Sequence, residues 1–277
     1  PHRVVGARAG SPLVLGVGQG GQEHFLASDA MALAGVTDQI VYLEEGDVVE
    51  IRLDGYSIVD AEGNPAERPI VESQLSADAI ELGNYDHFMQ KEIFEQPGAL
   101  ANTLEMVANA SSLSSGLFGA DAEAIFARTK QILILACGTS WHAGSVAKYW
   151  LEAIAGIPTS VEIASEYRYR ESVALPGTLV LTISQSGETA DTIAALQHAQ
   201  GLGLRDTLTI CNVPERALIR QSKLRFLTRA GPEIGVASTK AFTTQLASLF
   251  VLTLVLAKQR NRLTPEREKE LIEQLRH

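Results

Sequence analysis

Hydrophobic and polar positions along this chain alternate in three different ways. Over residues 1–75 the apolar runs are short and bounded by turn formers: Val4–Ala7, Pro12–Leu15, His24–Ala27, Gln39–Leu43, Val48–Leu53 and Ser57–Asp60. Such runs read as strands. Asp54-Gly55 marks a hairpin between the last two, and Ala61-Glu62-Gly63-Asn64-Pro65 closes the region with turn chemistry. Over residues 76–122 the spacing becomes helical, carried by Phe88, Ile93 and then Leu100 and Leu104. Pro97 lacks an amide donor and is expected to break or kink that helix. Asn109-Ala110-Ser111-Ser112 reads as a surface connection, so 76–122 is expected to be a helical interdomain linker.

Residues 123–262 follow a βα rhythm. The apolar runs at 131–137, 178–184 and 206–211 carry no polar alternation, as expected of strands covered on both faces, and 224–228 is a weaker strand candidate. Amphipathic helices fit 141–155, 189–203, 214–222 and 239–258. Strands alternating with helices predict an α/β domain with a parallel sheet between helical layers. The apolar stretch 246–257 is too short to span a bilayer and reads as a buried helix. Residues 263–277 read as the start of a further helix that the chain end cuts short.

Composition narrows the partners. Of 277 residues 45% are hydrophobic and 20% charged, and the formal net charge is −10. An acidic surface repels phosphate backbones and anionic lipid, so neither nucleic acid nor a membrane is an expected partner. The two cysteines, Cys137 and Cys211, each end an apolar run and read as buried thiols, which suits a reducing cytoplasm. The six histidines show no ligand spacing, so no metal is expected, and no cofactor either.

Four glycine-containing loops carry candidate chemistry. Gly16-Val17-Gly18-Gln19-Gly20-Gly21 matches a dinucleotide fingerprint, but no good helix follows it, and a hairpin turn is the better reading. Ala136-Cys137-Gly138-Thr139-Ser140 lies between a strand and a helix. Thr139 and Ser140 either cap that helix or offer hydroxyls to an anion beside its free amides. Ser184-Gln185-Ser186-Gly187-Glu188-Thr189 is the strongest signal. Three hydroxyls and an amide side chain precede a helix, where a cap needs only one hydroxyl, so a phosphate cradle is favoured over a capping box. Glu233-Ile234-Gly235-Val236-Ala237-Ser238-Thr239-Lys240 sits before the last long helix, where Ser238 reaches a third side of the same ligand. Lys240 is either a phosphate neutraliser or a helix-surface lysine. In open α/β sheets ligands bind outside the carboxyl ends of the strands, so these loops are expected to converge on one crevice.

Taken together, the strings CGTS (137–140), SQSGETADT (184–192), the NVPE turn (212–215) and EIGVASTKAFTTQ (233–245) resemble the first sugar isomerase (SIS) domain of the glutamine–fructose-6-phosphate aminotransferase family. HFMQKEIFEQP (87–97) is similar to the segment that leads into that domain. ARAGSPLVLG (7–16), ASD (27–29) and LEEGDVVEI (43–51) are similar to the end of the family's glutaminase domain. The resemblance implies a three-layer αβα sandwich over 123–262, preceded by a partial, Ntn-type glutaminase segment over 1–75. It implies synthesis of glucosamine 6-phosphate and glutamate from fructose 6-phosphate and glutamine, by a cytoplasmic homodimer. Ser184, Gln185, Ser186 and Thr189 would hold the phosphate, Thr139 and Ser140 would also contact the sugar phosphate, and Val236 and Ser238 would line the site. Glucosamine 6-phosphate or glucose 6-phosphate fits the same cradle.

The chain also departs from the family. The family's nucleophile is an N-terminal cysteine, whereas this chain begins with Pro1 and its cysteines lie elsewhere. The second SIS domain, which supplies acid/base and Schiff-base lysine chemistry, is absent too. The chain is therefore read as an internal piece without catalytic residues of its own, inactive alone, and with exposed sheet edges expected over 1–75. Two other readings stay open: a stand-alone SIS module that senses a sugar phosphate, and a Rossmann oxidoreductase, for which the glycine run has the wrong context.

Overall fold

A computed structural model describes residues 2–18, 20, 23–73, 82–214 and 216–276. Residues 19, 21 and 22 of the glycine run, 74–81 at the start of the expected linker, Glu215 of the NVPE turn and both chain ends lie outside the described residues. The chain forms two compact units, Pro1–Gly83 and Asn84–His277.

The first unit is all β. Strands β1 (Arg3–Ala7), β5 (Val48–Arg52) and β6 (Gly55–Val59) make one antiparallel sheet in the order β1-β5-β6. Strands β2 (Val14–Val17), β3 (His24–Ala27), β4 (Gln39–Tyr42) and β7 (Ile70–Glu72) make another, ordered β3-β2-β4-β7. Leu15, Val41, Leu43, Val49 and Ile58 form a shared buried cluster. Asp47, 1% exposed, is held by the fork of Arg68 at 2.8 and 2.9 Å and accepts the Glu44 N–H at 2.7 Å. The Arg68 hydrogen bonds keep its carboxyl below the usual range, against the opposing effect of burial. Val4 and Val5 on β1 and Ile70 and Val71 on β7 remain exposed, all four on edge strands. The glycine run joins β2 to β3, which pair antiparallel from Val14↔Ala27 to Val17↔His24, with the Gly18 N–H on the Glu23 carbonyl at 2.9 Å. Among the described residues this is the pairing of a hairpin, and strand β3 follows where a dinucleotide site needs a helix.

The second unit opens with α1 (Phe88–Leu104) and α2 (Ala122–Arg128). Strands β8 (Gln131–Ala136), β9 (Thr159–Ile163), β10 (Thr178–Ser184), β11 (Asp206–Cys211) and β12 (Leu224–Leu227) form one parallel sheet in the order β12-β11-β10-β8-β9. Between and after them run α3 (Gly138–Trp150), α4 (Ala164–Tyr167), α5 (Ala190–Gly201), α6 (Ala217–Gln221), α7 (Lys240–Gln259) and α8 (Pro265–Arg276). Successive side chains of a strand face opposite sides of the sheet. Ile132, Ile134, Leu179, Leu181 and Ile183 accordingly pack with α3 and α7, whereas Leu135 and Val180 pack with Ala195, Leu196 and Ala199 of α5. The result is the expected α/β layering, with helices on both faces of a parallel sheet.

Several expectations need correction. Strand β9 was not anticipated: Thr159-Ser160-Val161-Glu162-Ile163 alternates polar and apolar residues because it is an edge strand with an open face. Helix α1 runs unbroken through Pro97. The carbonyl that Pro97 leaves without an amide, that of Ile93, accepts Gln96 Nε2 at 3.0 Å instead. Residues 84–122 are no surface linker. Leu104, Val107, Leu113, Phe118 and Ala122 are buried in the main core, and Glu268 of α8 binds the Leu113 N–H at 2.6 Å. Helix α7 (Lys240–Gln259) lies where 239–258 was expected, although the apolar run 246–257 alone was read as too short to span a bilayer. Its 20 residues are long and apolar enough by length and composition to cross a membrane. Here it is a core helix, with Leu249, Val251, Leu252, Leu254 and Leu256 fully buried.

Candidate functional site

The sheet order places a switch point beside β8. From β8 the chain leaves through α3 to β9 on one side, then returns to β10 on the other. Helix α3 follows β8 on one face and α5 follows β10 on the opposite face. Adjacent strands whose following helices diverge open a crevice at their carboxyl ends, the usual ligand position in such sheets. The loops that leave there are 137–140 and 184–189, two of the motifs singled out from sequence.

Glycine makes both turns possible. Gly138 has φ +56° and Gly187 φ +69°, a region that side chains with a Cβ rarely adopt. Gly187 is also buried against its neighbours: a Cβ there would meet Cys211 Sγ at 2.7 Å and Arg216 Cβ at 2.8 Å. Burial pushes the Cys211 thiol up to about 11, so it is a neutral floor under the loop and not a nucleophile. Cys137 is half-buried at the N-cap of α3, not inside the strand, and both cysteines are free thiols.

The hydroxyls of the second loop meet one another. Ser184, 2% exposed, lies 2.9 Å from Thr189 Oγ1 and accepts the Gly187 N–H at 3.0 Å. Ser186 Oγ accepts the Glu188 N–H at 3.2 Å, and Glu188 reaches the Ala217 N–H at 2.9 Å. Gln185, Ser186 and Thr189 are half-buried, and the Gln185 carbonyl takes the Asn212 N–H at 3.2 Å. Thr189 is the N-cap residue of α5 yet makes no side-chain cap hydrogen bond. The N-cap of α3 makes none either. Ser140 lies inside that helix, 8% exposed, and Thr139 is exposed at its first turn. Simple capping therefore does not account for the hydroxyls of either loop. Both helix N-termini keep amides that attract an anion.

The third loop differs. Glu233 accepts the N–H of Thr239 at 2.8 Å, that of Ala241 at 3.2 Å, and Ser238 Oγ at 2.6 Å. A carboxylate of the chain itself thus occupies the N-terminus of α7. Val236 is wholly exposed at the tip of the loop and Ser238 is half-buried. Lys240 fits neither expectation: it is 4% exposed and ion-paired to Glu95 at 2.5 Å. Among the described residues no hydrogen bond joins loop 233–239 to the other two. The link runs through α7, whose buried Gln245 donates from Nε2 to Ser140 Oγ at 3.0 Å. Gln245 was not singled out from sequence, because a glutamine inside an apolar helix gives no signal until its partner is seen. A separate depression of about 160 Å³, lined by Pro176, Thr178, Arg205 and Asp206, lies at the amino ends of β10 and β11, the edge opposite the motif loops.

The chain is similar to known proteins along its whole length. The SIS domain family model matches residues 125–255. Over all 277 residues the chain is 60% identical to a glutamine–fructose-6-phosphate aminotransferase [isomerizing] of Bordetella parapertussis, and it spans 45% of that relative's length. A relative of the same name from Pseudomonas putida is 55% identical over 276 residues, again with 45% of its length covered. Among solved structures, the C-terminal domain of glucosamine-fructose-6-phosphate aminotransferase from Francisella tularensis is 49% identical with a TM-score of 0.68, covering 70% of this chain and 55% of that one. Glucosamine-6-phosphate deaminase from Thermotoga maritima, 24% identical with a TM-score of 0.52 over 68% of this chain and 53% of its own, shares the fold. With an SIS domain over residues 125–255 and sequence identity along its whole length, the chain is similar to the glutamine–fructose-6-phosphate aminotransferases, of whose matched members it spans a little under half.

Proposed function

We propose that this chain carries the sugar-phosphate half-site of an enzyme that makes glucosamine 6-phosphate and glutamate from fructose 6-phosphate and glutamine. One observation carries the reading. The two helix N-termini at the switch point have no side-chain caps but are ringed by hydroxyls, whereas the third, on α7, is filled by Glu233. Ser184, Gln185, Ser186 and Thr189 hold the phosphate with the first amides of α5, and Thr139 and Ser140 close a second side from α3. Val236 and Ser238 line the sugar end. Neutral donors and helix dipoles suffice for a phosphate even in a chain of net charge −10. They recognise the phosphate shared by fructose 6-phosphate, glucosamine 6-phosphate and glucose 6-phosphate, and discriminate the sugars less.

Residues 1–75 correspond to the end of a glutaminase domain, and the working enzyme is a cytoplasmic homodimer. Neither cysteine of this chain suits glutamine hydrolysis, since Cys211 is buried and neutral and Cys137 lies at the start of α3 in the second unit. On this reading the 277 residues bind the sugar phosphate and do not hydrolyse glutamine. A stand-alone SIS sensor would have no use for the β-rich first unit, which favours the enzyme.

Calorimetric titration with fructose 6-phosphate, beside a Ser184→Ala/Ser186→Ala variant, tests the reading. Saturable binding that the variant loses is the expected result. Equal affinity in both proteins would place the ligand elsewhere and overturn it.

A further inference from the structure

Helix α1 places a buried carboxylate under the loop that carries Val236 and Ser238. Glu92 is 2% exposed, and its Oε1 accepts the Ile234 N–H at 2.5 Å and the Gly235 N–H at 3.1 Å, with Oε2 at 3.2 Å from the same Gly235 nitrogen. Among the described residues it forms no ion pair. A buried charge without a counter-charge is costly unless strong hydrogen bonds offset the lost hydration, and here two backbone amides serve that purpose.

The fit is close from the other side as well. Gly235 has no side chain, and a Cβ built there would meet Glu92 Oε2 at 2.5 Å. One turn further along α1, Glu95 takes the buried ammonium of Lys240. Glu92 thus grips the start of the loop and Glu95 its end, while Glu233 closes it on itself through Ser238, Thr239 and Ala241. The tip at Val236 is the part that stays open to solvent.

We propose that Glu92 is a positioning residue for the sugar-phosphate site. It touches no ligand, but fixes the backbone of Ile234 and Gly235 so that Val236 and Ser238 stand at the crevice. This rests on the site assignment above. The phosphate cradle at 184–189 has no hydrogen bond to this loop, so Glu92 governs affinity for the sugar and not for the phosphate alone.

The test uses the whole chain in four forms: parent, Glu92→Ala, Gly235→Ala and the double variant. Probes are fructose 6-phosphate and inorganic phosphate by calorimetry, with amide hydrogen exchange over 233–239 in ligand-free protein. Losing a charged hydrogen bond to the loop should weaken fructose 6-phosphate by roughly tenfold in Glu92→Ala. Inorganic phosphate affinity should stay unchanged, and exchange at Ile234 and Gly235 should accelerate. Gly235→Ala should weaken the sugar phosphate similarly, and the double variant should lose less than the sum of the two single losses, because the 2.5 Å clash disappears with the carboxylate and only the tight contacts to Met89 at 3.3 and 3.4 Å remain. Parent-like sugar affinity in Glu92→Ala, equal losses of both probes, additive losses in the double variant or unaltered exchange would each overturn the proposal. If the parent itself fails to bind fructose 6-phosphate, the site assignment falls and takes the proposal with it. Failure in the variants beside a binding parent refutes the role of Glu92 alone.

Discussion

The thiol of Cys211, at the end of β11, lies directly beneath Gly187: a Cβ at position 187 would come within 2.7 Å of Sγ. The loop between β10 and α5 is therefore pressed onto the sheet with no room for a methyl group, at a residue whose φ is +69°. Gly187→Ala should destabilise the chain by about 1–3 kcal/mol through overpacking, with left-handed strain added. It should also abolish fructose 6-phosphate binding, because the Gly187 N–H that organises Ser184 must move. Urea titration and calorimetry on the same preparation check both effects. Wild-type stability would mean that the loop yields freely.

The same burial makes a chemical prediction. With the Cys211 thiol pushed up to about 11, its thiolate is scarce at neutral pH, and the thiolate is the reactive form. Iodoacetamide should label half-buried Cys137 in native protein and Cys211 only after denaturation, as peptide mass spectrometry would read. The sign for stability follows. A thiol whose folded value is raised favours the protonated state, so its contribution is lost as pH climbs from the unfolded value of about 8.5 towards 11. Rapid native labelling of Cys211 would contradict the burial.

In the first unit, Asp47 and Arg68 predict acid sensitivity. The folded carboxyl of Asp47 is lowered, first by the Arg68 hydrogen bonds. Its contribution is present above the unfolded carboxylate value of about 3.9 and is lost as pH falls through the lower folded value. Asp47→Asn should destabilise this unit by about 1–3 kcal/mol, the usual loss of hydrogen bonds to a charged partner. It should also flatten the acid limb of a thermal-midpoint profile from pH 2 to 7. An acid limb as steep in the variant as in the parent would assign the effect to other carboxylates.

Much of the second unit was legible from sequence because its strands are covered on both faces. Runs such as Thr178–Ser184, buried at every position, appear as largely apolar segments without polar alternation. Edge strand β9, with one face open, gave no such run and went unread. Pro97 misled for a local reason: the rule that it breaks a helix assumes that no side chain takes up the freed carbonyl, and Gln96 does. The linker reading of 84–122 failed because helical spacing says that a face is apolar but not what covers it. Here α1 joins the core through Leu100 and Leu104 and buries Glu92, Ala99 and Thr103 as well, while Met89, Ile93 and Phe94 stay exposed.

The candidate site divides along the same line. Order along the chain determined which loops carry hydroxyls after a strand and before a helix, since a glycine turn and a helix start are local features. It could not say which helix N-termini are open. That depended on a local closure, Glu233 folding back on α7, and on residues far apart in sequence coming together: Glu92 reaching Gly235 across 143 positions and Gln245 meeting Ser140 across 105. Local periodicity records what a segment buries, whereas the partner of each buried polar group is decided only by packing, and in this protein those partners set which loop is free to take an anion.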